Sequence, residues 1–82
     1  MNNLTEGIQN SVKYIEDNLT SELDINDISA RAYLSPFYFQ KIFCVLCGVT
    51  VGEYIRSRRL TLAAEELSSG TPRVLDIALK YG

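Results

Sequence analysis

The side chains best suited to chemistry in this 82-residue chain are two cysteines, Cys44 and Cys47, and a group of cations gathered in its middle third. A C-x-x-C pair suggests zinc or thiol redox chemistry. Structural zinc takes four ligands, and the chain has two Cys and no His. A redox thiol belongs at a helix N-terminus, where the dipole lowers its pKa, whereas these two fall in the last turn of an expected helix. Both are read as incidental or packed cysteines. Catalysis has equally little to stand on, with no His, no Gly-rich phosphate loop and no acid pair in an evident cleft. Glu16 and Asp17 are adjacent, but neighbours on a helix point to different sides, so both are read as solvated. No enzyme is expected.

The cations are more informative. Net charge is −2, which by itself argues against a nucleic-acid binder. Residues 1–30, however, are net −5, residues 31–59 hold Arg31, Lys41, Arg56, Arg58 and Arg59 against Glu53 alone, and residues 60–82 are net −1. The middle third is a positive patch on an acidic body, suited to phosphate contacts that position a protein without reading sequence. At least one of the four arginines is expected to be structural, with its head paired to Glu53, Glu65 or Asp27, so only Arg31 and Arg56 are kept as DNA candidates.

These residues sit on, or beside, two short helix patterns separated by a couple of residues, from Asp24 to Cys47, which is the layout of a helix-turn-helix. In the second helix Ser35 suits the cap, Pro36 the first helical position, and Leu34 is placed to staple onto Phe39. From that start, Phe39, Ile42, Phe43 and Leu46 fall on a core face, while Phe37, Gln40, Lys41 and Cys44 fall together on an outward one. In the first helix Asp24 caps, with Asp27 as a short capping-box acid and Leu23 placed to staple onto Ile28. Ile25, Ile28 and Ala32 line its inner stripe, and Ser29, Ala30 and Ala32 supply small residues for the crossing. The turn carries Tyr33 where a Gly is often used, so a left-handed residue there would be strained.

Upstream, Asn3 with Glu6 can cap an amphipathic helix along Ile8, Val12, Ile15 and Leu19, ended by Asn18 and covering the back of the motif. Gly7 weakens its start. Downstream, Gly48 is placed as a C-cap, and Thr50 with Glu53 opens a helix that runs from Val51 to Leu67 or Ser68, with Val49 ready to staple onto Tyr54. About 18 residues make roughly 27 Å, which suits a spacer between reading heads roughly 34 Å apart. Thr71 and Pro72 start a last helix with Val74, Ile77, Ala78 and Tyr81 on its apolar side.

The runs AYLSPFYFQKIF, GVTVGEYIRSRRLTLAAEEL and VLDIALKYG together resemble the DNA-binding domain of the AraC/XylS family of bacterial transcription regulators, over residues 8–82. The resemblance implies two helix-turn-helix units joined by a long helix, with recognition helices in successive major grooves. It divides the chain into a first helix-turn-helix subdomain (1–48), a linker helix (49–70) and the start of a second helix-turn-helix (71–82), cut before its recognition helix. It places Phe37, Gln40 and Lys41 toward bases and Ser35 toward phosphate. Gln can pair with adenine N6 and N7, Lys can donate to guanine or phosphate, and Phe can meet a thymine methyl. Cys44 and Val45 depart from the basic pair common after the aromatic at Phe43, which weakens the expected phosphate attraction. Leu62 stands where a polar or basic residue is common and is read as widening the buried stripe of the linker helix.

The expectation is an all-α transcription regulator that reads double-stranded DNA with the helix starting at Ser35 and has RNA polymerase as a further partner. Self-association is expected through the Val74, Ile77, Ala78 stripe. The alternative is a helical protein-interaction module docking through Phe37 and Tyr38. A cysteine-based redox sensor is a third option. No apolar run approaches the roughly 20 residues of a membrane span and no signal peptide is evident, so a cytoplasmic, nucleoid-associated protein without a cofactor is expected.

Overall fold

Local side-chain chemistry sets most of the helix starts. The computed structural model describes residues 3–68 and 74–81, and within these the surroundings of all side chains except Asn3, Val74, Leu75 and Asp76. Five helices follow in order: α1 (Asn3–Asp17), α2 (Ile25–Arg31), α3 (Pro36–Cys47), α4 (Val51–Ser68) and α5 (Val74–Tyr81). Asp24 accepts from the Asn26 amide at 2.8 Å to cap α2, and the Ser35 hydroxyl accepts from the Tyr38 amide at 3.2 Å to cap α3. Thr50 and Glu53 close a reciprocal capping box on α4, at 2.9 and 3.1 Å. The Thr71 and Pro72 start expected for α5 lies outside the described residues. Asn3, expected to cap α1, is instead its first helical residue.

Each helix packs on the next in sequence, and the molecule extends 44 Å by 19 by 18 Å. One core holds Ile8, Ile15 and Leu19 from α1 and the turn after it, Ile28 and Ala32 from α2 and its cap, Phe39 and Phe43 from α3, and Val51 from α4. The Phe39 and Phe43 rings are 5.7 Å apart, and Tyr54 of α4 meets Phe43 edge-on at 5.8 Å. Phe43 is thus the joint between motif and linker helix. Leu23, Leu34 and Leu62 pack against this core, while Val49 remains 40% exposed.

Two expected contacts are corrected. Leu46, assigned to the core face, is 52% exposed: α3's last turn runs beyond the buried rings, and Leu46 lines an open cleft with Ile8 and Val12. Ala30 is exposed because it lies about 200° around α2 from Ile28. The close crossing instead uses Gly7, where an added Cβ would lie 2.9 Å from the Ala32 carbonyl oxygen. The glycine that weakens α1 locally is therefore what lets α1 approach the end of α2.

Long polar contacts fasten the linker helix to the motif. Arg58 forks onto the Glu16 carboxylate with Nε and an NH2 group, each at 3.0 Å, and the Tyr54 hydroxyl donates to the same carboxylate at 2.7 Å. Glu16, expected to be solvated, is a half-buried acceptor. Arg59 donates to the carbonyls of Leu19 and Ser21 at 3.0 and 2.8 Å, holding the α1–α2 connection. Arg58 hydrogen bonding, first, holds the Glu16 carboxyl below its ordinary 4.5, while burial, first, and the Glu16 bond push the Tyr54 phenol up to about 12. A carboxyl with a depressed folded pKa stabilises the fold above its unfolded pKa, and that contribution is lost as pH falls through the folded value. The stability difference between wild type and Glu16→Gln should therefore be full above about pH 4.5 and narrow below it. Parallel acid titrations followed by helical circular dichroism would show this, and a gap that stays constant into acid would contradict it.

At the C-terminal end α5 folds back on α4. Lys80 and Tyr81 both reach Glu66, at 2.7 and 2.6 Å, and Ile77 is 3% exposed. The apolar stripe expected to stand open is thus covered at Ile77 by α4, Ala78 faces outward, and the surroundings of Val74 lie outside the described residues. Pairing of two copies through that stripe loses its main apolar contact.

Candidate nucleic-acid interface

The turn between α2 and α3 fixes how α3 is presented. The amides of Ala32 and Leu34 both donate to the Ser29 carbonyl, at 3.0 and 3.2 Å, and the Tyr33 amide donates to Ala30 at 3.1 Å. Tyr33 adopts φ 58°, the left-handed conformation that its position suggested. For a non-glycine residue this costs roughly 1–2 kcal/mol. Its ring is 88% exposed, so little packing offsets the strain. Glycine relieves it but brings about 0.5–1 kcal/mol of chain entropy. Tyr33→Gly should raise stability by about 0.5–1 kcal/mol, or roughly 2–8 °C in Tm. A lower melting temperature would mean the ring makes a stabilising contact.

At the other end of α3, Gly48 at φ 79° donates its amide to the Cys44 carbonyl at 2.9 Å. Between these fixed ends, the helical period turns Phe39 and Phe43 inward and leaves Phe37, Gln40, Lys41 and Cys44 exposed. Phe37 is 70% exposed, with the Lys41 ammonium 4.7 Å from its ring centroid, a cation–π contact that holds the two together. Gln40 donates to the Pro36 carbonyl at 3.1 Å. Its amide keeps a second N–H and its oxygen, the pair that adenine needs. The outward row is therefore an ordered set of one aromatic, one amide and one cation.

The candidate cations are placed differently from one another. Arg58 and Arg59 are occupied inside the fold, as described. Arg31 lies 4.3 Å over the Tyr14 ring, in a groove shared with Asn10 and Lys13. Arg56 folds back toward Gly52 on α4 and borders the α4–α5 groove. Lys41, Arg31 and Arg56 enter no ion pair among the described residues. Ser35, Phe37, Gln40 and Lys41 thus come together on α3, while Arg31 and Arg56 stand apart from that row. Tyr33 and Tyr38, 88% and 46% exposed, add aromatic surface beside it. For Tyr33 the only sequence signal was its place in the turn.

Comparison with known proteins matches residues 15–56, the span from late α1 through α2 and α3 into α4, to bacterial regulatory helix-turn-helix proteins of the AraC family. The Transposon Tn10 TetD protein of Escherichia coli is 43% identical over 94% of this chain and 56% of its own length. The HTH-type transcriptional activator AarP of Providencia stuartii is 43% identical over 83% of this chain and 50% of its own. Regulatory protein SoxS of Salmonella typhimurium is 36% identical over 92% of this chain and 70% of its own. No solved structure matches. The chain belongs to the AraC family of bacterial regulatory helix-turn-helix proteins. It spans about half the length of TetD and AarP.

Proposed function

We propose that this chain is a sequence-specific, double-stranded-DNA-binding part of a transcription regulator and that α3 enters the major groove. The carrying observation is the outward row of Phe37, Gln40 and Lys41 on a helix fixed at both ends. Gln40 and Lys41 read base edges, Phe37 meets a thymine methyl, and Ser35 sits toward phosphate. Arg31 and Arg56 hold the backbone on either side. Residues 1–48 form the reading unit, residues 49–70 the spacer, and residues 71–82 open a second helix-turn-helix. The similarity to AarP, a transcriptional activator, supports transcription as the process, and a regulator of this kind has RNA polymerase as a further partner. The protein works by binding rather than by catalysis, on the nucleoid in the cytoplasm; no helix among the described residues is long and apolar enough to cross a membrane.

Fluorescence anisotropy with mixed duplex DNA at two salt concentrations tests this. Two phosphate contacts, by Arg31 and Arg56, give a log–log slope of about −1.8, and a third where the Lys41 ammonium turns to phosphate gives about −2.7, so affinity should fall roughly 12- to 42-fold between 50 and 200 mM salt. No binding, or binding indifferent to salt, would favour the exposed Phe37 and Tyr38 as a protein-docking surface.

A further inference from the structure

We propose that Cys44 and Cys47 form a two-thiolate site for a soft monovalent metal ion of the copper(I) class. Both cysteines are free and exposed, so an ion reaches them without opening the fold. Three residues apart on a helix, two Cα atoms lie about 5 Å from each other and their side chains lean the same way along one face.

The choice of ion follows from the donors. Among the described residues no group of three or more His, Cys, Asp and Glu side chains comes together, which leaves zinc short of its ligands. Copper(I) is soft, prefers thiolate sulfur and is satisfied by two such ligands. On binding, two S–H protons leave to the buffer and two S–Cu bonds form, with no change in oxidation state.

The test is competition for copper(I) under anaerobic, reducing conditions. The intact chain is titrated into the coloured complex of copper(I) with bicinchoninate, and its size is followed by gel filtration. The expected result is withdrawal of one copper per chain at unchanged elution volume, with uptake lost in both Cys44→Ser and Cys47→Ala. Because both side chains are exposed, both variants keep the wild-type helical circular dichroism spectrum. No withdrawal of copper from the chelator, or uptake that survives in either variant, overturns the site. So does one copper per two chains with a doubling in size, which would place the ion between molecules.

Discussion

Replacement of Phe39 by alanine is expected to cost about 3–5 kcal/mol of folding stability. Its ring is fully buried and stacks at a tilt on Phe43, which in turn carries Tyr54 of the linker helix. Removing it leaves a cavity at the centre of the only core cluster found among the described residues. Domains hold roughly 0.05–0.15 kcal/mol per residue, or about 4–12 kcal/mol for a chain of this length. The loss is then a large part of the whole, and a chain near the lower limit would be unfolded at room temperature. Leu46→Ala is the informative comparison. Sequence spacing puts Leu46 on the same side of α3, yet it is 52% exposed, so its loss should be within about 1 kcal/mol. Urea denaturation of the two variants should therefore give very different midpoints, and equal shifts would mean that α3 is seated differently.

The contrast between Phe39 and Leu46 marks where sequence periodicity stops being informative. Period fixes direction around a helix, but burial also depends on how far along its axis a neighbouring helix extends. Caps were legible because each is a contact over two to four residues: Asp24, Ser35, Gly48 and the Thr50–Glu53 box all act where their spacing places them. Glu16 was not legible in the same way. Its partners Tyr54 and Arg58 lie 38 and 42 positions away, and no local pattern shows which of several arginines will turn inward. The expectation that some arginine is structural held, but its partner is Glu16 rather than Glu53, Glu65 or Asp27. Gly7 gives a related case, since its local cost to α1 is plain in sequence while its benefit appears only where Ala32 comes against it.

At the candidate interface, the exposed row on α3 followed from a clear helix start and a simple period. The stacking of Lys41 on Phe37 and the return of Gln40 to Pro36 depend on rotamers, which spacing does not specify. Cys44 and Cys47 were correctly placed in the last turn of α3: Cys44 is exposed with the outward row, and Cys47 beside the overhang that leaves Leu46 half uncovered.

Substitutions on α3 carry the second large expectation. A bidentate Gln–adenine pair contributes about 1–3 kcal/mol of discrimination, or roughly 5- to 150-fold between right and wrong base. Gln40→Ala should lose that discrimination while non-specific binding persists, and Phe37→Ala should do the same to a smaller extent if its ring meets a thymine methyl. Lys41→Ala acts differently when the ammonium serves phosphate: affinity falls on every sequence and the salt slope flattens by about one. All three side chains are exposed, so the variants should keep the wild-type fold. The decisive measurement is the affinity of wild type and Gln40→Ala, at low salt, for a duplex selected from a random pool and for a scrambled duplex of the same composition. The account predicts a wide gap between the two duplexes for wild type that narrows by roughly 5- to 150-fold in Gln40→Ala. An unchanged gap in a folded variant would contradict the assignment of Gln40 as a base reader and, if Phe37→Ala and Lys41→Ala also leave both affinities unchanged, the claim that α3 reads DNA.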